Sequence, residues 1–421
     1  MPDITLTPRP DAGNPFDVAA IRAQFPGLRG TAHGKPFVYL DSAATAQKPL
    51  AVIERMDRFL RDEYGTVHRG LYERSVRSTG LYEDARKTVA RFLGAASEKE
   101  IVFTMGCTDA INLVAWSWGR SHLKGGDRVL ITAMEHHANI VPWQITAELT
   151  GAELVVCPVL DDGSLDLEAF DRLCDGRVKL VSLIHVANAL GTINPVKELA
   201  RKAHAVGAKV LVDAAQSTPH LGVDVADLDC DFLVFAGHKL YGPTGIGVLW
   251  AKLAVLDAMP PWRGGGEMIE RVTFERTTFA APPARFEAGT PPIVEAIGLA
   301  AACDWLSALG MDRVRAAERE LYTYAEQSIA GIPGLRRIGT ARDRCTVLSF
   351  VMREAHASDI SSILDMEGIA IRAGHHCAQP VMARFGVPAT ARASLGVYTT
   401  RDDIDRLAAG LRKVAEIFGI A

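Results

Sequence analysis

Residues 209–250 read KVLVDAAQSTPHLGVDVADLDCDFLVFAGHKLYGPTGIGVLW. Three apolar runs stand out in this stretch: Lys209 to Val212, Asp231 to Phe235 and Gly245 to Trp250. Their cores show no polar alternation, as expected of strands covered on both faces. Polar groups follow the first two at once, Asp213 and Gln216 after one, His238 and Lys239 after the other. Upstream the pattern repeats at Glu100 to Thr104, Arg128 to Thr132, Glu153 to Val156 and Lys179 to Ile184. Segments of helical period separate many of these seven runs. The expectation is an α/β fold, with a mostly parallel seven-stranded sheet sandwiched by helices that make right-handed crossovers.

The chain has 421 residues, 48% hydrophobic and 23% charged, enough for a full core and for more than one domain. Forty-six basic residues face fifty acidic ones, a formal charge of −4 with no basic stripe, which argues against dedicated nucleic-acid binding. No apolar stretch approaches the ~18 residues of a membrane span, and the polar start lacks a signal-peptide core. Seven cysteines without a CxxC pair point to free thiols in a reducing compartment, so a cytoplasmic enzyme is expected. Residues 1–14 read as a flexible tail. Residues 260–292, with PPWRGGGEMIE and APPARFEAGTPP, form a Gly/Pro-rich insert. Beyond it a helical run from Ile293 to about Leu309 leads to a smaller α+β domain with strands at TVLSFVM, IAIRAG and ASLGVY. Its last helix opens on the capping pair Thr400 and Asp403, with Ile404, Leu407, Leu411, Val414 and Phe418 along one face.

Open α/β sheets bind ligands beyond the carboxyl ends of their strands. There the sequence places Gly106-Cys107-Thr108, then Glu135-His136-His137, then His185 and Asn188, then Asp213 and Gln216, and finally His238 and Lys239. Each has an ordinary reading alone. Thr108 and Asp213 suit helix N-caps, Lys239 a snorkelling surface amine, and the histidine pair metal ligation, although no zincin pattern surrounds it. Taken together, a phosphate cup at a helix start, a buried carboxylate and a confined lysine match pyridoxal 5′-phosphate: phosphate anchor, pyridinium partner and Schiff-base amine. His136 or His137 suits the face of its ring. Cys377 lies in RAGHHCAQP, where glycine, two histidines and Arg372 favour a nucleophilic thiolate. Cys157, Cys174, Cys230, Cys303 and Cys345 read as buried and inert. Arg392, in ARASLG, is a candidate fork for a substrate carboxylate, and no metal site is expected.

The motifs DAAQSTPHL, FAGHKLYGPTGIGVLW, EHHANIVPW, LDSAATAQKP and RAGHHCAQP resemble those of the SufS-type, or group II, cysteine desulfurases. These belong to the class V aminotransferases, pyridoxal-phosphate enzymes of fold type I, and the similarity runs from about Phe16 to the C-terminus. The resemblance implies a homodimer with a large domain over residues 34–300, in which 260–292 is an active-site and dimer loop. Residues 15–33 and 301–421 would form the small domain carrying the cysteine loop. Lys239 would hold the cofactor covalently, Asp213 pair with the pyridinium nitrogen, Gln216 with the ring hydroxyl, and His136 stack on the ring and exchange protons. Thr108, Cys107 and His238 would bind the phosphate with Thr290 of the partner subunit. Asn188 and Arg392 would hold the substrate carboxylate, and Arg372 and His68 line the pocket. Cys377 would carry a persulfide. The implied reaction converts L-cysteine to L-alanine and passes sulfur to a SufE-like or SufU-like acceptor for iron–sulfur cluster assembly. L-Selenocysteine is the rival substrate, and a non-catalytic scaffold the rival of another class. Three positions depart from the family pattern: Ala236 for serine, Cys107 for threonine and Asp109 for glutamate. An acid beside a phosphate is tolerable only if it points away.

Overall fold

The structure is a computed structural model that describes residues 16–420, so the expected tail lies outside the described residues. Seven strands build the central sheet: β1 (Ile101–Thr104), β2 (Arg128–Thr132), β3 (Glu153–Cys157), β4 (Val178–Ile184), β5 (Lys209–Asp213), β6 (Phe232–Ala236) and β7 (Gly247–Ala251). Their order is β1-β7-β6-β5-β4-β2-β3. β3, β2, β4, β5 and β6 run parallel, and β7 is antiparallel to both its neighbours. The reversal has a simple cause. The chain between β6 and β7 is too short for a crossover helix, so it can only turn back.

Helix α1 (Glu73–Leu93), α2 (Cys107–Val114) and α3 (Ile293–Leu309) belong to this body. α3 buries Ile293, Ile297, Leu299 and Leu306 in its core, then ends at Gly310, whose φ of 81° suits glycine. A second sheet contains β8 (Leu335–Ile338), β9 (Val347–Met352), β10 (Arg372–Gly374) and β11 (Thr390–Ser394), antiparallel in the order β8-β9-β11-β10. With α4 (Met311–Ile329) and α5 (Arg401–Ile417) it encloses a separate core around Leu348, Phe350, Leu364, Leu407 and Leu411. Thr400 and Asp403 close a reciprocal capping box at the start of α5. Ile404, Leu407, Leu411 and Val414 are buried, with Phe418 packed beside them. Among the described residues no single helix is long and apolar enough to cross a membrane.

Two local expectations need correction. The strand expected at ASLGVY is shifted: pairing covers Thr390–Ser394. After it, Tyr398 turns into an aromatic cluster with Phe25 and Tyr241, and Gly396 packs where an added Cβ would lie 2.9 Å from the Tyr398 ring. Within the insert at 260–292, Ile269–Val272 and Thr277–Phe279 pair as a hairpin. The N-terminal segment also joins the second body, where Val38–Tyr39 lies parallel to Ile369–Ala370.

Candidate active site

The carboxyl ends of β2, β4, β5 and β6 open into a cavity of about 1010 Å³, which the loop after β10 closes from the other body. At its first end α2 begins with Gly106 as N-cap, and the bond from Ala110 N to Gly106 O (3.0 Å) is the first in the helix. The N–H groups of Cys107, Thr108 and Asp109 precede that bond and have no partner within the helix. β7 passes so close behind that a Cβ on Gly247 would lie 2.4 Å from the Gly106 backbone. Thr108 and His238 line this end, with Ala236 behind them. Asp109 turns aside: Oδ2 accepts from Met105 N at 3.0 Å, and Oδ1 pairs with Arg263 Nη2 at 2.5 Å. The acid is thus matched by a cation from the Gly/Pro-rich insert, a partner that the sequence reading missed.

In the middle of the cavity Asp213 is buried at the end of β5, accepting from Ala215 N at 2.9 Å and from the Cys107 thiol at 3.5 Å. Lys239 enters from the turn after β6. Burial lowers the pKa of its amine, and the Asp213 carboxylate offsets this in part. Gln216 Nε2 donates to Ala43 O at 2.6 Å. His136 Nδ1 accepts from Ala138 N at 3.1 Å, which orients the ring. Burial and then the Lys239 charge push its pKa down to about 4, so the imidazole is neutral at pH 7. Behind it Glu135 is fully buried, with bonds from Thr132 Oγ1 (2.5 Å), Asn139 Nδ2 (2.7 Å) and Ile184 N (3.0 Å). Burial raises that carboxyl to about 8.

The far end joins the two bodies. Arg392 on β11 donates from Nη1 to Asn188 O at 3.1 Å and from Nη2 to Asp41 Oδ1 at 3.2 Å. Asn188 Nδ2 in turn donates to His376 O at 2.7 Å. Cys377 is the exposed thiol of the chain; Cys107 is half-buried, and the other five are buried, as expected. His376 and Cys377 adopt φ of 52° and 54°, a left-handed pair without glycine that the surroundings must hold. They do so through His137 N to Cys377 O (2.7 Å), Cys377 N to His375 Nδ1 (3.2 Å) and Gln379 N to His137 Nε2 (3.2 Å). His136 therefore faces the cavity, and His137 ties down the cysteine loop.

Eleven of the thirteen expected site residues line this one cavity. His68 and Thr290 do not. His68 sits edge-on to Tyr82 at 5.8 Å, its N–H on Thr79 Oγ1 at 2.8 Å, and Thr290 is exposed on its loop. Asp41 was the largest omission. It ends the apolar run FVYL as Asp213 ends KVLV, so the same signal was present.

Burial also sets a pH response. His136, His185 and His238 have pKa values lowered to about 4 and His376 to about 3, in each case chiefly by desolvation. The folded state binds these protons less readily than the unfolded chain. Stability is therefore full above about pH 6.5 and lost as pH falls toward the folded values. The buried pair His185 and His376 should each contribute up to about 1.4 kcal/mol per pH unit. Glu135 has the opposite sign, its penalty growing as pH rises from 4.5 to about 8. The melting temperature should drop steeply between pH 6.5 and 4.5; a flat profile would show that the rings take up protons without unfolding the chain.

The description "Aminotransferase class-V" fits residues 38–407. A cysteine desulfurase from Dickeya dadantii (strain 3937) is 52% identical over 405 residues, which cover 96% of this chain and 98% of the relative. One from Pectobacterium carotovorum subsp. carotovorum is 51% identical, with 96% and 99% covered. The crystal structure of an Escherichia coli cysteine desulfurase superposes with a TM-score of 0.88 at 41% identity, over 96% of this chain and 100% of that one. On a shared fold, a family match across most of the chain and half-identical relatives matched nearly end to end, the chain belongs to the aminotransferase class-V family and groups there with the cysteine desulfurases.

Proposed function

We propose that this chain is a cysteine desulfurase that uses pyridoxal 5′-phosphate. One observation carries the reading: a single cavity holds Lys239, the buried Asp213 and, at its far end, the exposed Cys377 thiol along with Arg392. The residues suit that cofactor. The start of α2 offers free N–H groups and Thr108 for a phosphate, Asp213 offers a buried carboxylate to a ring nitrogen, and Lys239 offers an amine that burial keeps reactive. Asn188 Oδ1 and Arg392 Nε are buried without a partner, in keeping with a wall that completes its hydrogen bonds on a ligand. When bound, the cofactor supplies an electron sink for the charge left on a substrate carbon after proton removal.

The chain's own groups do the rest. Lys239 Nζ anchors the cofactor and takes the Cα proton of L-cysteine, and Gln216 meets the ring hydroxyl. Arg392 and Asn188 orient the substrate carboxylate. His136, neutral at pH 7, sits where a ring can stack and exchange a proton. Cys377 Sγ attacks the substrate sulfur; the S–S bond forms as the C–S bond breaks, leaving a persulfide on Cys377 and L-alanine as product. An exposed thiol lets an acceptor protein of SufE-like or SufU-like type collect that sulfur for iron–sulfur cluster assembly in the reducing cytoplasm. On this reading the cofactor domain lies within 34–300, apart from Val38–Tyr39, which pairs with the other body, and 15–33 with 301–421 carries the cysteine loop. A second copy covers the exposed Leu71, Tyr72, Val76 and Phe274 and receives Thr290 into its phosphate cup.

The test is an absorbance spectrum of the purified protein before and after L-cysteine, with alanine assayed. A band near ~420 nm that changes on addition, with alanine formed, supports the reading. A colourless protein that stays inert with added cofactor sinks it. Lys239→Ala should lose both the band and the turnover.

A further inference from the structure

Three donors converge on the carbonyl of His238, the peptide group that leads into Lys239: Ala46 N at 3.0 Å, Thr45 Oγ1 at 3.3 Å and Lys48 Nζ at 3.0 Å. All three belong to the stretch that follows Val38–Tyr39 and so arrives from the second body. Lys48 Nζ also donates to Ala46 O at 2.6 Å. Both of its acceptors are neutral carbonyls, and among the described residues no carboxylate pairs with it. Burial lowers the amine to about 8, so it is still a cation at pH 7. The helix Leu50–Arg58 begins two residues later, and a cation beside a helix N-terminus is disfavoured. A half-buried positive charge therefore stands behind the Lys239 turn with no anion of its own.

The phosphate end of the cavity lacks the opposite feature, a free cation. Arg263 lines it but is matched by Asp109, and Lys239 serves the cofactor ring. Burial, then the Lys239 and Lys48 charges, push the His238 imidazole down to about 4, so that ring is neutral and the Lys48 charge is felt at it. We infer that Lys48 is the counter-charge of the phosphate cup: held against the His238 carbonyl, it favours a dianionic phosphate at the start of α2 and fixes the peptide that carries Lys239. This rests on the reading of the cavity as a pyridoxal-phosphate site. Lys48 does not line the cavity, so it is a positioning residue that acts through the His238 turn. The benefit is mutual, because a dianion in the cup offsets the cost of desolvating the amine.

Pyridoxal 5′-phosphate and pyridoxal share the ring and the aldehyde and differ in the phosphate, so the ratio of their affinities isolates the cup. Each is titrated into the full chain freed of cofactor, for wild type, Lys48→Met, Lys48→Gln and Lys48→Arg. Wild type should prefer the phosphorylated form. Lys48→Met should reduce that preference by about tenfold, and Lys48→Arg, which keeps the charge, should hold it within about threefold of wild type. Lys48→Gln keeps a donor without the charge and should follow Lys48→Met, which also keeps the test open if the methionine variant does not fold. A role confined to holding the turn would weaken both ligands together and leave the ratio unchanged. A ratio in the neutral variants within about twofold of wild type overturns the inference while the functional reading stands. A wild-type chain that binds neither compound overturns the functional reading, and the inference falls with it.

Discussion

Cys377→Ala is expected to reduce alanine formation from L-cysteine by about a thousandfold or more, the scale on which loss of a nucleophile acts, while the ~420 nm band survives. The two observables separate because the thiol and the cofactor end are built from different elements. Lys239, Asp213 and the α2 N-terminus belong to the central sheet, whereas Cys377 rides on the loop after β10. The contacts that hold its left-handed backbone run through Cys377 N and O, His137 and Gln379, and none uses the Cys377 sulfur. Alanine can therefore occupy the same loop, and only the chemistry is removed. Cys377→Ser should behave alike, since a hydroxyl is a far poorer nucleophile toward sulfur. Full turnover in Cys377→Ala would show that sulfur leaves by another route.

The second large effect lies outside the cavity. Arg86, its side chain 4% exposed, donates to Ile101 O at 2.9 Å and forks onto Glu287 at 2.7 and 2.9 Å. Glu287 also accepts from Phe103 N at 2.7 Å and Tyr82 OH at 3.1 Å, and the guanidinium lies between the Tyr82 and Phe103 rings. This cluster fastens the end of the Gly/Pro-rich insert to α1 and β1. Arg86→Ala strands a buried carboxylate and should cost about 3–5 kcal/mol, read as a lower urea midpoint and faster proteolysis within 260–292. The double variant Arg86→Met with Glu287→Gln removes both charges and should recover much of the loss. An Arg86→Ala protein within about 1 kcal/mol of wild type would show that the pair does not anchor the insert.

Both effects depend on features of unequal legibility. Cys377 was visible in RAGHHCAQP because its neighbours in sequence are also its neighbours in space. Arg86 and Glu287 are 201 residues apart and had no local signature. The Asp109–Arg263 pair, 154 residues apart, was hidden for the same reason. β8, reading LRRI, looks too charged for a strand, yet it pairs with β9 at the edge of its sheet, where arginines stay partly exposed.

By itself the sequence determined the seven strands, the capped last helix and the ring of polar residues at the strand ends, because runs of apolar side chains and their end signals act over a few residues. It also placed Lys239 and Asp213 at adjacent strand ends, since parallel strands bring their carboxyl ends to one side. Tertiary structure alone decided the pinning of the cysteine loop by His137 and the position of Asp41 between Arg372 and Arg392. Those features depend on the register between distant segments and on desolvation. Both are settled only when the two bodies pack together.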